Sequence, residues 1–419
     1  MTLSSSCITY IILFTILADF LLNTTADLFN LKSMEKQVPD EFKDLFSNEQ
    51  YERSLDYLTA TTKLEIASSS VAVLVILGFW FIKGFVFLDH AVRAWGFGPV
   101  LSGLFYIAIL LILKFLVALP FSVYSTFVIE EQFGFNTTTA KIFISDTVKS
   151  FILAAIIGSP LLCLILLFFE KAGSDAWWMC WTVSALFIVA VQFIVPTWIL
   201  PLFNKFTPLE DGELRRAIQS YADSIRFSIA NIFVMDGSKR STKSNAFFTG
   251  FGKNRRIVLF DTLIRNHSAK ELLAVLAHEM GHYKKGHLLK NLGIGIVQTG
   301  IIFFLMSVII HEKALFDAFF MDKMSVYAGL IFFGLLYSPI DLAVSTLMRV
   351  VSRKDEFDAD RFAAQTGDHA PHLVRALKKL SVNNLSNLTP HPFYVFLNYS
   401  HPPVLDRIRR LQSISDSPR

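Results

Sequence analysis

Seven stretches of roughly twenty apolar residues constrain this chain more than any other feature. They lie at about 3–22, 67–88, 99–119, 151–169, 178–200, 288–310 and 324–346. A bilayer core takes about 20 residues of α-helix, and a helix is one of the few structures that satisfies its own backbone in lipid. The chain is therefore expected to be mainly α-helical and to cross a membrane seven times. Composition agrees: 18% of the 419 residues are charged, 53% are hydrophobic and 41 are Phe, against about 25% charged in ordinary globular chains. This excludes a single soluble domain, a disordered chain and a nucleic-acid-binding module. The three cysteines, Cys7, Cys163 and Cys180, sit inside apolar runs and form neither CxxC nor a disulfide framework.

The first stretch contains Asp19 and no Lys or Arg precedes it, so it reads as an uncleaved anchor rather than a signal peptide. The connections 23–66, 120–150, 201–287 and 347–419 carry 32 of the Lys and Arg residues, and the opposite set carries four. By the positive-inside rule the N-terminus is outside and those four connections are cytoplasmic. The Asn-x-Ser/Thr sequons at Asn23, Asn136, Asn384, Asn387 and Asn398 then fall on or near the cytoplasmic side and read as chance. Lys83 and Lys114 lie within apolar stretches. A charge at membrane depth usually faces protein or a water-filled cavity; Lys83, near a span end, can instead snorkel.

The expected organisation is a five-span membrane domain over 1–200, a polar segment over 201–287, two further spans over 288–346 and a polar tail over 347–419. The first polar segment opens with a helix at about 210–226. Three β-type runs come next, Ile232–Met235, Ala246–Phe251 and Arg256–Phe260, with turn signals at Asp236-Gly237 and Gly252–Asn254. They predict a small β-meander. Ser268-Ala-Lys-Glu271 then has the form of a capping box opening a helix.

That helix carries His278-Glu279-Met280-Gly281-His282. Residues i and i+4 share a helical face, so both imidazoles can reach one metal ion, and the Glu beside them can take a proton from a bound water. Gly281 costs about 1 kcal/mol of helix propensity relative to Ala, which predicts a neighbour packed close against it. A catalytic zinc site has three protein ligands and an open position, so a third ligand is needed. His267, His287, His311 and the cluster Asp355, Glu356, Asp358, Asp360 are the candidates. His287 is rotated off the ligand face, His311 falls on the far side of the membrane, and His267 would require the chain to fold back. Glu356 and Asp360 share a face, and both helices adjoin membrane spans whose cytoplasmic ends meet in an antiparallel pair. Glu356 as ligand, with Asp360 holding a ligand histidine from behind, is the most complete arrangement.

These residues, with Arg353 before them, Ser244–Gly250, Arg256–Thr262, Tyr399-Ser-His-Pro-Pro403 and the upstream run Phe127–Asn136, resemble the type I CAAX prenyl endopeptidases, integral-membrane zinc metallopeptidases. The resemblance covers nearly the whole chain. It implies seven spans enclosing a chamber, joined to a gluzincin-like metalloprotease part on the cytoplasmic side. It implies one Zn²⁺ per chain held by His278, His282 and Glu356, with Glu279 as catalytic acid and base. It also implies that Asn245 and His401 line the site and handle the substrate, with Asp360 behind the ligands. Family substrates are farnesylated proteins, from which a C-terminal tripeptide is removed; the partners implied are thus a polypeptide, its prenyl group and membrane lipid. Read from the residues, Asn245 opens a strand whose edge could take an extended peptide, and His401 could donate to an oxyanion. Arg407 is expected to pair with Glu356 or Asp360.

The tail Ser415-Asp-Ser-Pro-Arg419 has no dilysine-type retrieval signal, so a bacterial inner membrane fits as well as the endoplasmic reticulum. Without protein prenylation in the source, turnover of membrane proteins would be the better substrate reading. The competing class is a transporter or channel with a regulatory zinc. A structural site closes all four positions and has no use for Glu279.

Overall fold

The computed structural model describes residues 4–249 and 256–415. Seven helices are long and apolar enough to cross a membrane: Ser5–Lys32, Asn48–Phe81, Pro99–Gln132, Ala140–Lys171, Gly173–Phe203, His287–Ile309 and Val326–Gln365. Each contains or overlaps one of the seven expected stretches. Each packs against its neighbours in sequence, and the first packs against the seventh, so the spans form a closed ring.

The ring is filled at one end only. The starts of the odd spans and the ends of the even ones meet in a core that includes Ile12, Trp80, Tyr106, Leu166, Met306 and Tyr327. Around the middle of the spans few side chains are buried, so the ring has no packed axis there. An unfilled axis is what an enclosed chamber requires. At the opposite end the polar connections come together. Residues from 209 to 280 and from 363 to 411 share a single core around Ile218, Ile257, Leu276 and Leu373. The two polar segments, separate in sequence, thus fold as one body.

The expected span at 67–88 is shorter than the sequence suggests. The helix ends at Phe81, and Lys83 stands in the left-handed region at φ 62° before a new helix, Gly84–Ala94. A Cβ on Gly84 would sit 2.5 Å from the Phe79 ring, so the turn needs glycine there. Lys83 Nζ lies 5.7 Å from the Phe320 ring centre at this boundary. Lys114 is exposed near the middle of the third span. Two proline-linked distortions were not legible in the sequence. Pro160 and Pro196 lie beside and within five-residue π turns, Ala154–Gly158 and Val195–Ile199, where the wider turn accommodates the missing N–H.

The expected meander is instead a mixed sheet. Its strands are β1 (Phe206–Pro208), β2 (Asn231–Met235), β3 (Ala246–Thr249) and β4 (Arg256–Phe260), in the order β1-β2-β4-β3. The β2–β4 pair is parallel, and β3 pairs antiparallel with β4 at the sheet edge. Ile257, Val258 and Leu259 are all buried, so β4 is covered on both faces and takes the interior position that a continuous apolar run favours. The last two residues of the run expected at Ala246–Phe251, and the turn at Gly252–Asn254, lie outside the described residues.

The helix carrying the HExxH motif spans Ala269–Lys284. Its capping box is complete: Ser268 Oγ accepts from the Glu271 amide, and Glu271 accepts from the Ser268 amide. It packs against the seventh span. That span is one helix of 40 residues, Val326–Gln365, or about 60 Å, twice the hydrocarbon thickness of about 30 Å. Its extension carries Glu356 and Asp360 past the apolar stretch to the HExxH helix. The two meet at Gly281, where an added Cβ would lie 3.1 Å from the Ala359 carbonyl and from the Phe362 ring. This is the close neighbour that a glycine inside a helix predicts. Gly281→Val should therefore lower stability by about 1–3 kcal/mol, read as a reduced thermal midpoint in detergent. Gly295→Ala, with open space around its Cβ position, should not lower it.

Candidate metal centre and active site

His278 and His282 present their Nε2 atoms to one another at 3.1 Å. Glu356 closes the group, with Oε2 at 3.4 Å from His278 Nε2 and Oε1 at 3.2 Å from His282 Nε2. Zinc ligands at about 2.0–2.2 Å in a tetrahedron stand roughly 3.3–3.5 Å apart, and the three spacings come within about 0.2 Å of the edges of such a site. Among the described residues this is the one group of three or more His, Cys, Asp or Glu whose donor atoms all lie within 4.8 Å of one another. Glu356 is buried, yet its Oε2 has no hydrogen-bond partner. A buried carboxylate oxygen left in that condition is costly, and a cation is its natural partner.

The far nitrogens of both imidazoles are also held. Asp360 Oδ1 lies 2.8 Å from His278 Nδ1. Arg407 donates to both oxygens of Asp360 at 2.8 and 2.7 Å, and its Nη1 lies 3.4 Å from Glu356. Arg407 thus pairs with both carboxylates. His282 Nδ1 lies 3.0 Å from His287 Nδ1, and His287 Nε2 lies 3.6 Å from Asp355, which is bound to Lys290. If His282 offers Nε2 to a metal, its Nδ1–H donates to His287, whose own N–H is then Nε2–H, turned toward Asp355. His287, off the ligand face as expected, serves its neighbour instead. The fivefold spacing from His282 was the only sign of it in the sequence.

Opposing charges and burial set the electrostatics of this cluster. Burial and the nearby Arg407 oppose protonation of His278, but Asp360 and Glu356 outweigh them and hold its pKa up to about 9. Burial pushes the Glu279 carboxyl above its usual range, and Glu356 adds to this against the pull of the two histidines. Burial alone would lower the Arg407 pKa; Asp360, Glu356 and Glu279 raise it instead.

His401 reaches the rim of the group. Its Nε2 is 3.3 Å from Glu356 Oε1, its Nδ1 is 3.0 Å from Ser400 Oγ, and its side chain is largely exposed. The loop bearing it is fixed by the extended seventh span. Arg353 donates to the Val395 and Tyr399 carbonyls, and Arg349 to that of Leu397, at the end of the short helix Pro392–Asn398. Cations at a helix C-terminus are favourable. Arg349 was not singled out by sequence. Asn245 makes no bond to the group: its Oδ1 accepts from the Ala246 amide at 2.8 Å, and its side chain is exposed at the start of β3. The strand itself packs beside the HExxH helix. Of the alternative ligands, His267 turns Nδ1 to the Leu263 carbonyl at 3.0 Å before that helix begins. His311 lies beyond the other end of the sixth span.

Comparison with known proteins gives this arrangement a family. Residues 27–205 match the family model described as CAAX prenyl protease N-terminal, five membrane helices, and residues 208–415 match Peptidase family M48. The chain belongs to the CAAX prenyl protease 1 family of M48 peptidases. It is 36% identical to CAAX prenyl protease 1 of Saccharomyces cerevisiae over 413 residues, covering 92% of this chain and 90% of the relative. It is 35% identical to the CAAX prenyl protease 1 homolog of Homo sapiens over 429 residues, covering 90% and 89%. The crystal structure of S. mikatae Ste24p superposes with a TM-score of 0.92 at 35% identity, over 96% of this chain and 99% of the other. The protein is thus an integral-membrane metalloprotease acting on polypeptides, and the transporter reading is set aside. If the three-residue group is the metal centre, Glu356→Ala should sharply reduce bound metal. Asp360→Asn should weaken metal affinity about 10–100-fold. Both effects can be read by metal analysis and competition with a chelator.

Proposed function

We propose that this M48 protease is a zinc endopeptidase that cleaves near the C-terminus of prenylated, CAAX-type proteins. The observation that carries the reading is the convergence of His278, His282 and Glu356, one turn of helix and a distant carboxylate, with Glu279 beside them. One Zn²⁺ per chain would be held by those three side chains. When bound there, the ion supplies a water whose pKa is lowered to about 7. Glu279 accepts a proton from the attacking water and returns it to the leaving amine nitrogen. Burial raises its pKa, which favours the protonated form it passes through between the two transfers. His401 stands exposed at the rim, where its ring N–H can donate to the oxyanion of the tetrahedral intermediate. Asp360 and Arg407 orient His278 and balance Glu356.

The peptide lies along β3. That strand is at the sheet edge, so its outer backbone groups can pair with an extended substrate, and Asn245 at its start can anchor a peptide carbonyl. The hollow middle of the ring accommodates the chain and its lipid. The names of the matched relatives, CAAX prenyl protease 1 and its homologs in fungi, plants and animals, support the prenylated substrate. They also support residence in an endoplasmic reticulum membrane over a bacterial one. The charge asymmetry of the connections supports a site on the cytoplasmic side.

Glu279→Gln should keep zinc and lower cleavage of a farnesylated CAAX peptide by at least about 100-fold, whereas His278→Ala should lose both zinc and cleavage. Chelation followed by zinc add-back should restore activity of the unaltered protein. Near-normal turnover in Glu279→Gln would remove the general-base assignment. Equal cleavage of the unprenylated peptide would remove the lipid requirement.

A further inference from the structure

The run Phe127–Asn136 is among the most specific segments of the sequence, yet it supplies no side chain to the metal centre. The structure shows that it grips the lead-in to β3 instead. The third span closes with a five-residue π turn, Ser125–Ile129. An extra residue in a turn rotates the remainder of the helix by about 100°, and Glu130 emerges at the second span and at the loop between β2 and β3. Glu130 Oε1 accepts from the Tyr57 hydroxyl at 2.5 Å and from Lys243 Nζ at 2.9 Å, while Lys243 Nζ lies 2.7 Å from the Tyr57 oxygen. The ammonium stands 4.5 Å from the Phe135 ring centre and 5.0 Å from that of Tyr57.

The backbone around this trio is bound as tightly. Gly134, at φ 74°, turns the chain so that the amides of Phe135 and Asn136 both donate back to the Glu130 carbonyl. Residues 135–137 then run beside 240–242: Thr242 donates its amide to the Phe135 carbonyl at 3.0 Å, and Thr137 donates to that of Arg240 at 3.3 Å. On the other flank, Arg240 donates to both oxygens of Asp146 and to Asn204, at the start of the fourth span and just past the fifth. The segment tied down in this way leads directly into Asn245 and β3. Its last fixed points are the Lys243 carbonyl, which accepts from Thr262 Oγ1 at 3.0 Å, and the Ser244 amide, which donates to Asn384 at 3.3 Å.

A half-buried Lys–Glu pair contributes little net stability. What it adds is direction: a shared carboxylate oxygen and two flanking rings admit one position for the ammonium. We propose that Tyr57, Glu130 and Lys243 are positioning residues for peptide binding. They hold the lead-in to β3 against the second and third spans, so that the peptide-binding edge keeps a set place relative to the part of the ring that carries the rest of the substrate. The metal centre does not depend on them, because its ligands come from the HExxH helix and the seventh span.

This inference rests on β3 being the peptide edge, as proposed above. The test is steady-state cleavage of a farnesylated CAAX peptide by the full-length protein in detergent, with bound zinc and thermal midpoint measured on each sample. Glu279→Gln in the same series tests the protease reading separately. Lys243→Met should raise KM about tenfold, equivalent to about 1.4 kcal/mol of lost peptide binding, with kcat and zinc nearly unchanged. Glu130→Gln should do the same to a lesser degree, and Lys243→Arg should restore most of the loss. The Lys243→Glu, Glu130→Lys double variant should bind peptide better than either single reversal. An unchanged KM in Lys243→Met or Glu130→Gln overturns the proposal. So does a parallel loss of zinc, kcat and thermal midpoint in Glu130→Gln, which would mark the trio as packing alone.

Discussion

The close crossing of two helices at Gly281 governs the rest of this molecule. With no side chain there, the HExxH helix lies against the Ala359 backbone of the extended seventh span. At that separation Glu356 reaches both histidines and Asp360 reaches the back of His278. A bulkier residue would push the helices apart by more than the few tenths of an ångström that the ligand spacings tolerate. The membrane span and the candidate metal centre are therefore joined directly, because a single 40-residue helix serves both.

Charge explains why the centre is built to accept a cation. Glu356 and Asp360 are buried together, and among the described residues Arg407 is the one guanidinium that pairs with both. Arg407 satisfies Asp360 with two hydrogen bonds, and its Nη1 faces Glu356 Oε2 at 3.4 Å without forming one. Glu279 adds a further carboxyl. Buried carboxylates need charged or hydrogen-bonding partners, and Asp360 and Glu356 pull the His278 pKa upward for that reason.

The ring of spans is organised by a similar economy of packing. Its apolar core is confined to the end away from the metal centre, and the polar connections form a second body at the other end. Between them the spans touch their neighbours but fill no axis. A ring of seven helices joined by short-range contacts can enclose space because its two ends are closed by independent cores. The first connection also joins the polar body: Phe42 and Tyr51 pack with Leu388 and Ile408, so the N-terminal and C-terminal parts are bound together at that end as well.

By itself the sequence determined the seven spans, the capped HExxH helix and the shared face of His278 and His282. These follow from local rules: apolar length, helix capping and the i, i+4 repeat need no knowledge of distant residues. It narrowed the third ligand to a short acidic run and anticipated a close neighbour at Gly281. Only the tertiary structure decided the rest. The order β1-β2-β4-β3 pairs β2 with β4 in parallel, and that pairing of non-consecutive strands is encoded by no local pattern. The role of His287 behind His282, the double pairing of Arg407 and the grip of Glu130 on Lys243 all join residues distant in sequence or set by the rotation of a helix. Such contacts are fixed by how helices cross and turn, and that geometry exists only once the chain has closed on itself.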